Sequence, residues 1–310
     1  MCNLQKENEA MQVISKEKSN HFANSDIWLV RSENVGDVFR VCVTAPGLPI
    51  PPGHRMGAVY GLDGDLVGGI DIGVLLGGLM GNDLPPLYSV SIAYPLDTPV
   101  PALVQRMRDY TPTPCPRFDG IYAGMYGISN PPASGGGDAF GRFLIDELRP
   151  ALAEAYPIDP DDATLTGTSA GGLFGLYMLL ERPGAFKRIM ACNPAVWWDG
   201  RMMFDKLLSA PTSLTNAVYI SAGEFESAEN IAKVRADAPE AMRAIHDQII
   251  AITGEIDMIK DGRDYAAMLK GRMPGLQVSY TTHLLETHSL NYAVSMSHGL
   301  RMLFGTLPFA

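Results

Sequence analysis

Thr164-Leu165-Thr166-Gly167-Thr168-Ser169-Ala170-Gly171-Gly172 is the stretch whose reading decides the fold. Ala163 to Thr166 leans toward β-branched residues and predicts a buried strand. Leu173, Phe174, Leu176, Tyr177 and Leu180 then recur at helical spacing. Between strand and helix, Gly167-Thr168-Ser169-Ala170-Gly171 fits a Gly-x-Ser-x-Gly frame, in which a strained turn lifts a serine hydroxyl above the sheet. Gly167 and Gly171 remove Cβ atoms that would collide as strand and helix approach. The helix start beneath Ser169 offers free N–H groups and a positive dipole end to a developing anion. The bland alternative is a glycine-rich turn with a serine N-cap. In a chain with 32 glycines the frame arises by chance at roughly a few tenths per sequence. The remainder of the chain must therefore supply a base, an acid and an oxyanion hole.

The 310 residues are 46% hydrophobic and 19% charged, enough to bury a large core in one α/β domain. A net charge of -10 argues against nucleic acid or an anionic membrane as partner. Ile70 to Met80, the most apolar later stretch, is broken by glycine and too short to span a bilayer. Cys2, Cys42, Cys115 and Cys192 lie far apart without a Cys-x-x-Cys pair, as in a reducing compartment. With no apolar h-region near the N-terminus, the expected location is cytoplasmic.

Residues 1–24 read as a polar leader, disordered or lying on the surface, and residues 25–310 as a single domain. Ile27–Val30 and Val38–Thr44 predict strands flanking a turn at Asn34-Val35-Gly36-Asp37. Further strands are expected at 58–62, 87–94, 186–192, 217–222 and 276–285. The stretch from Thr111 to Gly137, rich in proline and glycine, reads as a long loop. Asp138 is positioned to cap a helix whose apolar face holds Phe140, Phe143, Leu144, Leu148 and Leu152. About 227–269 reads as a helical insertion, with Met242, Ile245, Ile249 and Ile250 at helical spacing. Asn291–Phe304 reads as a closing helix. Alternating strands and helices call for a mostly parallel central sheet with helices on both faces.

A serine needs a base held by a third group, and in an α/β-hydrolase these follow in the order Ser, acid, His. His283 lies inside the last strand pattern and His298 in mid-helix. His288 falls at the junction of the two, where a base must sit. Gly223-Glu224-Phe225-Glu226 follows a strand and offers two acids; Glu226 is preferred, with Glu224 and a two-residue Ser-His arrangement lacking an acid as the alternatives. Oxyanion donors are expected at the backbone N–H of Ala170 and, in the turn Asp63-Gly64-Asp65, of Asp65. Arg108 is either a clamp for a substrate anion or a structural partner of Asp109. The six histidines show no metal-ligand spacing, so no metal is expected; no Gly-x-Gly-x-x-Gly follows a strand, so no dinucleotide cofactor is expected either.

Taken together, the chain resembles the putative-esterase family of α/β-hydrolases. This group contains ferric-enterobactin esterases, S-formylglutathione hydrolases and mycolyltransferases, and the likeness is greatest to the enterobactin-esterase branch. The resemblance rests on Leu62-Asp63-Gly64-Asp65, Arg108-Asp109-Tyr110-Thr111-Pro112, Gly135–Phe143, Gly167–Gly172, Pro194–Trp198, Gly223–Glu226 and Glu286-Thr287-His288. It implies Ser169 and His288 in catalysis, Asp65 and Ala170 in the oxyanion hole, and Trp197 and Trp198 near the substrate crevice. The expected activity is hydrolysis of small to medium acyl esters through an acyl-enzyme, with a small-molecule ester as partner. A siderophore trilactone esterase and a catalytically silent binding module are the alternatives.

Overall fold

The computed structural model describes residues 11–214 and 216–305. Its strands are β1 (Gln12–Lys18), β2 (Ser25–Arg31), β3 (Val38–Thr44), β4 (Met56–Gly61), β5 (Tyr88–Ala93), β6 (Ile158–Thr168), β7 (Arg188–Cys192), β8 (Ala217–Gly223) and β9 (Gln277–His283). They form one sheet in the order β1-β2-β3-β5-β4-β6-β7-β8-β9. β1, β2, β3 and β5 pair antiparallel, whereas every pairing from β5 through β4 to β9 is parallel.

Successive side chains of a strand enter opposite faces, and both faces are apolar here. In β7, Ile189 and Ala191 enter the larger core while Met190 and Cys192 enter the smaller; in β8, Val218 and Ile220 oppose Tyr219. Burial on both sides is why these strands read as continuous apolar runs. The smaller core is covered by α1 (Gly68–Met80) and α11 (Asn291–Phe304). The larger lies under α2 (Ala102–Tyr110), α3 (Pro116–Tyr126), α4 (Gly137–Arg142), α5 (Arg149–Ala155), α6 (Ala170–Glu181), α7 (Trp198–Ser209) and α10 (Met258–Arg272). This is the α/β-hydrolase fold. Among the described residues no helix is long and apolar enough to cross a membrane.

Four expectations change. Within the leader, Gln12–Lys18 is an edge strand paired antiparallel with β2; residues 1–10 lie outside the described residues. All of β1 is exposed, so its place comes from backbone pairing and from Lys18, 2.6 Å from Asp26, and leaves no apolar signal. The expected loop at 111–137 contains α3, started by Pro116 and ended at Gly127 with φ 65°. Gly120 and Gly124 lower its intrinsic propensity, and burial of Phe118 and Ile121 offsets this. Asp138 sits in the first turn of α4, behind an N-cap at Gly136, and pairs with Arg142 and Arg182. The stretch 227–269 divides into α8 (Ala228–Asp237), α9 (Glu240–Thr253) and most of α10, and α10 is a crossover helix packed on β8 and β9.

Beneath β4 and β6 lies a buried acid. Asp71 of α1 accepts a hydrogen bond from the Tyr292 hydroxyl at 2.8 Å, and that hydroxyl lies 3.2 Å from Thr166 Oγ1. A Cβ on Gly61 would fall 2.0 Å from Asp71 Oδ2, which requires glycine there. Burial pushes the Asp71 pKa up to about 7, against the Tyr292 hydrogen bond and with the help of the Asp63 charge. Between its ordinary 3.8 and about 7 the folded state holds this proton more tightly than the unfolded chain. Stability therefore falls as pH climbs through that window and stays lowered above it. Melting curves of wild type and Asp71→Asn from about pH 5 to about pH 9 should shift in the variant's favour by on the order of a few kcal/mol. A pH-independent difference would mean that Asp71 stays ionised.

Candidate active site

β6 ends at Thr168 and α6 starts at Ala170, leaving Ser169 alone in the turn with φ 58° and ψ -116°. This is a left-handed backbone that a side-chain-bearing residue adopts only when its surroundings enforce it. The enforcement is visible. Ser169 N–H donates to the Cys192 carbonyl at 2.9 Å, and the Ser169 carbonyl accepts from Leu173 N at 2.9 Å and Ala195 N at 3.0 Å. A Cβ on Gly167 would lie 2.5 Å from the Gly171 carbonyl carbon, and one on Gly172 would lie 2.9 Å from the Cys192 oxygen. Leu173 is bonded back to Ser169, so the N–H groups of Ala170, Gly171 and Gly172 precede the first intrahelical bond.

Two further strand ends bring an imidazole and a carboxylate together. Glu226 follows β8 and His288 follows β9, and His288 Nδ1 lies 2.5 Å from Glu226 Oε1. Glu226 is buried, and its other oxygen accepts Gly223 N–H at 2.7 Å. The His288 carbonyl accepts from Asn193 Nδ2 at 2.7 Å, which ties this loop to the one leaving β7. Glu224 instead accepts Leu285 N–H at 2.8 Å and braces the loop. His283 is buried between the Tyr219 hydroxyl at 2.9 Å and Asn291 Oδ1 at 2.5 Å. His298 stacks edge-on against it at 5.2 Å, its pKa lowered by burial and by the charge of His283.

Ser169, Ala170, Glu226 and His288 border one cavity of about 630 Å³. One wall is aromatic, made by Phe118, Tyr122, Trp197 and Trp198, with Phe118 5.9 and 5.1 Å from the two indole rings. Trp198 Nε1 donates to Thr113 Oγ1 at 3.1 Å. The opposite wall is the insertion, through Ile231 of α8 and His246, Ile249 and Ile250 of α9. Met242, expected on the same apolar face, is exposed instead, and Ile245 does not border the cavity.

The arginine expectation requires correction. Arg108 does not border the cavity: its guanidinium binds Asp109 at 2.7 Å and Asp37 at 2.6 Å, the structural alternative. Arg106, two residues earlier on the same helix, does reach it. It holds Asp63 bidentately at 2.6 and 2.8 Å and donates to the Thr168 carbonyl at 3.0 Å, which pins the strand just before Ser169. No local pattern in the sequence singles it out, since its partner lies 43 residues away. Asp63→Ala would leave this arginine buried and unpaired, and should destabilise the fold by about 3–5 kcal/mol in chemical denaturation. A change below about 1 kcal/mol would show the pair to be dispensable. Asp65 lies in the turn after β4, where Leu62 N–H bonds the Thr166 carbonyl. Its carboxylate accepts Tyr94 N–H at 2.9 Å and pairs with Arg40 at 2.7 Å, which fixes the turn; Asp65 itself does not border the cavity, so the expected second oxyanion donor is not among its lining. Among the described residues no cluster of His, Cys, Asp and Glu could hold a metal ion.

The family described as "Putative esterase" matches residues 113–267. Ferri-bacillibactin esterase BesA of Bacillus subtilis is 27% identical over 210 residues, 65% of this chain and 71% of that protein. The siderophore triacetylfusarinine C esterase of Aspergillus fumigatus is 27% identical over 229 residues, 71% of each chain. Siderophore hydrolase EstB from Aspergillus nidulans superposes with a TM-score of 0.72 at 20% identity, covering 94% of this chain and 99% of that one. The shared fold, the half-chain family match and these esterase relatives agree: the chain belongs to the "Putative esterase" family and is a serine hydrolase of carboxylic esters.

Proposed function

We propose that Ser169 is the nucleophile, His288 its general base and Glu226 the acid that orients the base. The observation that carries this is the 2.5 Å Glu226–His288 pair in the same cavity as the strained serine. With Nδ1 bound to Glu226, the imidazole presents Nε2 for the serine proton as Oγ attacks the ester carbonyl. The N–H of Ala170, which borders the cavity beside Ser169, receives the oxyanion. Collapse expels the alcohol, protonated by His288, and water releases the acid by the same steps in reverse roles. A fluorophosphonate should label a single peptide, the one holding Ser169. Turnover that persists without labelling of Ser169 would overturn the assignment.

The cavity favours a bulky, largely uncharged ester. Its two lining arginines are already paired, Arg106 with Asp63 and Arg235 with Asp247, so neither is a free anion clamp. The names of the relatives favour siderophore esters within this class, over the simple acyl esters expected from sequence. Comparing p-nitrophenyl esters from acetyl to palmitoyl with iron-free and ferric trilactones separates the two: a siderophore enzyme has its highest kcat/KM on a trilactone. Free thiols at Cys42, Cys115 and Cys192 support a cytoplasmic setting.

The α8–α9 insertion acts as a lid over the acyl group. Ile249→Asn and Ile250→Asn should raise KM by about 3- to 10-fold and alter chain-length preference, with little change in melting temperature. Lost stability with an unchanged substrate profile would make the segment core packing.

A further inference from the structure

His288 sits in a turn that packing does little to hold. Its imidazole is 46% exposed, and Leu284, Leu285 and Leu290 around it are exposed as well. Hydrogen bonds hold the turn instead. Its first half is fixed at Leu285 by Glu224 and at Glu286, whose carbonyl accepts Phe225 N–H at 3.1 Å. At His288 itself the backbone carbonyl accepts from Asn193 Nδ2 at 2.7 Å. Asn193 is fully buried, and its Oδ1 accepts from Asn291 Nδ2, so the amide is used at both ends. Its backbone has φ 43°, a left-handed value that asparagine tolerates better than most residues with a side chain.

The same short segment grips the serine. The Cys192 carbonyl accepts Ser169 N–H at 2.9 Å, and Ala195 N–H donates to the Ser169 carbonyl at 3.0 Å. Between them, Asn193 N–H donates to the Ser221 carbonyl at 2.8 Å and anchors the segment to β8. Residues 192–195 thus touch the nucleophile on either side of its backbone and reach the base through one side chain. We propose that Asn193 is a positioning residue that sets the imidazole against the serine hydroxyl. This rests on His288 being the base proposed above. An amide suits the task because it accepts from Asn291 and donates to His288 at once; a carboxylate only accepts, and glycine does neither. Proton transfer from serine needs the two groups within hydrogen-bond reach, and a misplacement of about 1 Å costs about 10²-fold.

The test separates misplacement from unfolding. A fluorophosphonate counts competent molecules by the final fraction labelled, and reads the base by the rate constant of labelling. Asn193→Gly keeps the left-handed backbone, and Asn193→Asp keeps the shape and loses the donor. Each should lower kcat on p-nitrophenyl acetate and the labelling rate constant by about 10- to 100-fold. KM should stay within about 3-fold of wild type, and labelling should still approach completion. His283→Ala removes the partner of Asn291 Oδ1 and neither bond of Asn193, so its folded fraction should label at the wild-type rate. In a His288→Ala background, Asn193→Gly should change the residual turnover by less than about 2-fold, because it acts only through the base. Rate constants within about 2-fold of wild type in both asparagine variants overturn the proposal. So does a loss confined to the labelled fraction, or one that repeats in full without His288. If His288→Ala keeps its rate, the base reading falls and this inference with it. A large loss in His288→Ala beside unchanged asparagine variants removes this inference alone.

Discussion

Ser169→Ala is expected to lower kcat on any ester by about 10⁴-fold or more, with the fold and the cavity intact. Alanine differs from serine by one oxygen, and Ser169 makes its structural hydrogen bonds through its backbone. The loss therefore reads the hydroxyl's chemistry alone. What remains is the contribution of oxyanion donors and of binding, which still exceeds water. Alanine should keep the melting temperature within a few degrees, because the strained turn is held by Cys192, Leu173 and Ala195 around it. A variant retaining a tenth of wild-type kcat would move the nucleophile elsewhere.

His288→Ala should cost a similar factor, and the double variant Ser169→Ala/His288→Ala no more than either alone, because the two act as one unit. His283→Ala and His298→Ala provide the contrast. The former opens a buried network with Tyr219 and Asn291 and should lower stability, while the folded fraction turns over ester normally. A general base elsewhere would show as His288→Ala keeping its rate. Glu226→Gln should fall between, losing about 10²- to 10⁴-fold, because a neutral amide stabilises the imidazolium less and permits the wrong tautomer. Steady-state kinetics on one p-nitrophenyl ester ranks all of these.

The parts of the site legible in the sequence are those set by local pattern. Gly167, Ser169 and Gly171 announce the turn as a short local motif, and at Gly167 the backbone of the following helix leaves no room for a Cβ. His288 and Glu226 were legible from position, each just past a strand end. Arg106 was not. It shares a helix with Arg108, and only distant carboxylates decide which guanidinium faces the elbow, Asp63 for one and Asp37 for the other. β1 escaped for the opposite reason, since an exposed edge strand is held by backbone bonds that carry no side-chain signature. α3 was hidden by its glycines and by a proline that starts the helix in place of breaking it. Along α9, periodicity located an apolar face, but only tertiary docking on α3 and α7 sets which turn of it meets the cavity.

Serine, carboxylate and imidazole stand at the ends of β6, β8 and β9, with β7 and β8 lying between the first and the last. No two of them come from one local segment; even the acid and the imidazole are 62 residues apart. With Ser169, Glu226 and His288 in the roles proposed above, competence to cleave esters is a property of the completed sheet. While β9 is still free, the hydroxyl at residue 169 is an ordinary alcohol. A chain leaving the ribosome, or one refolding, stays chemically silent toward cellular esters until that strand zips along β8. The architecture thus delays reactivity until assembly is finished, with no propeptide or inhibitor needed to impose the delay.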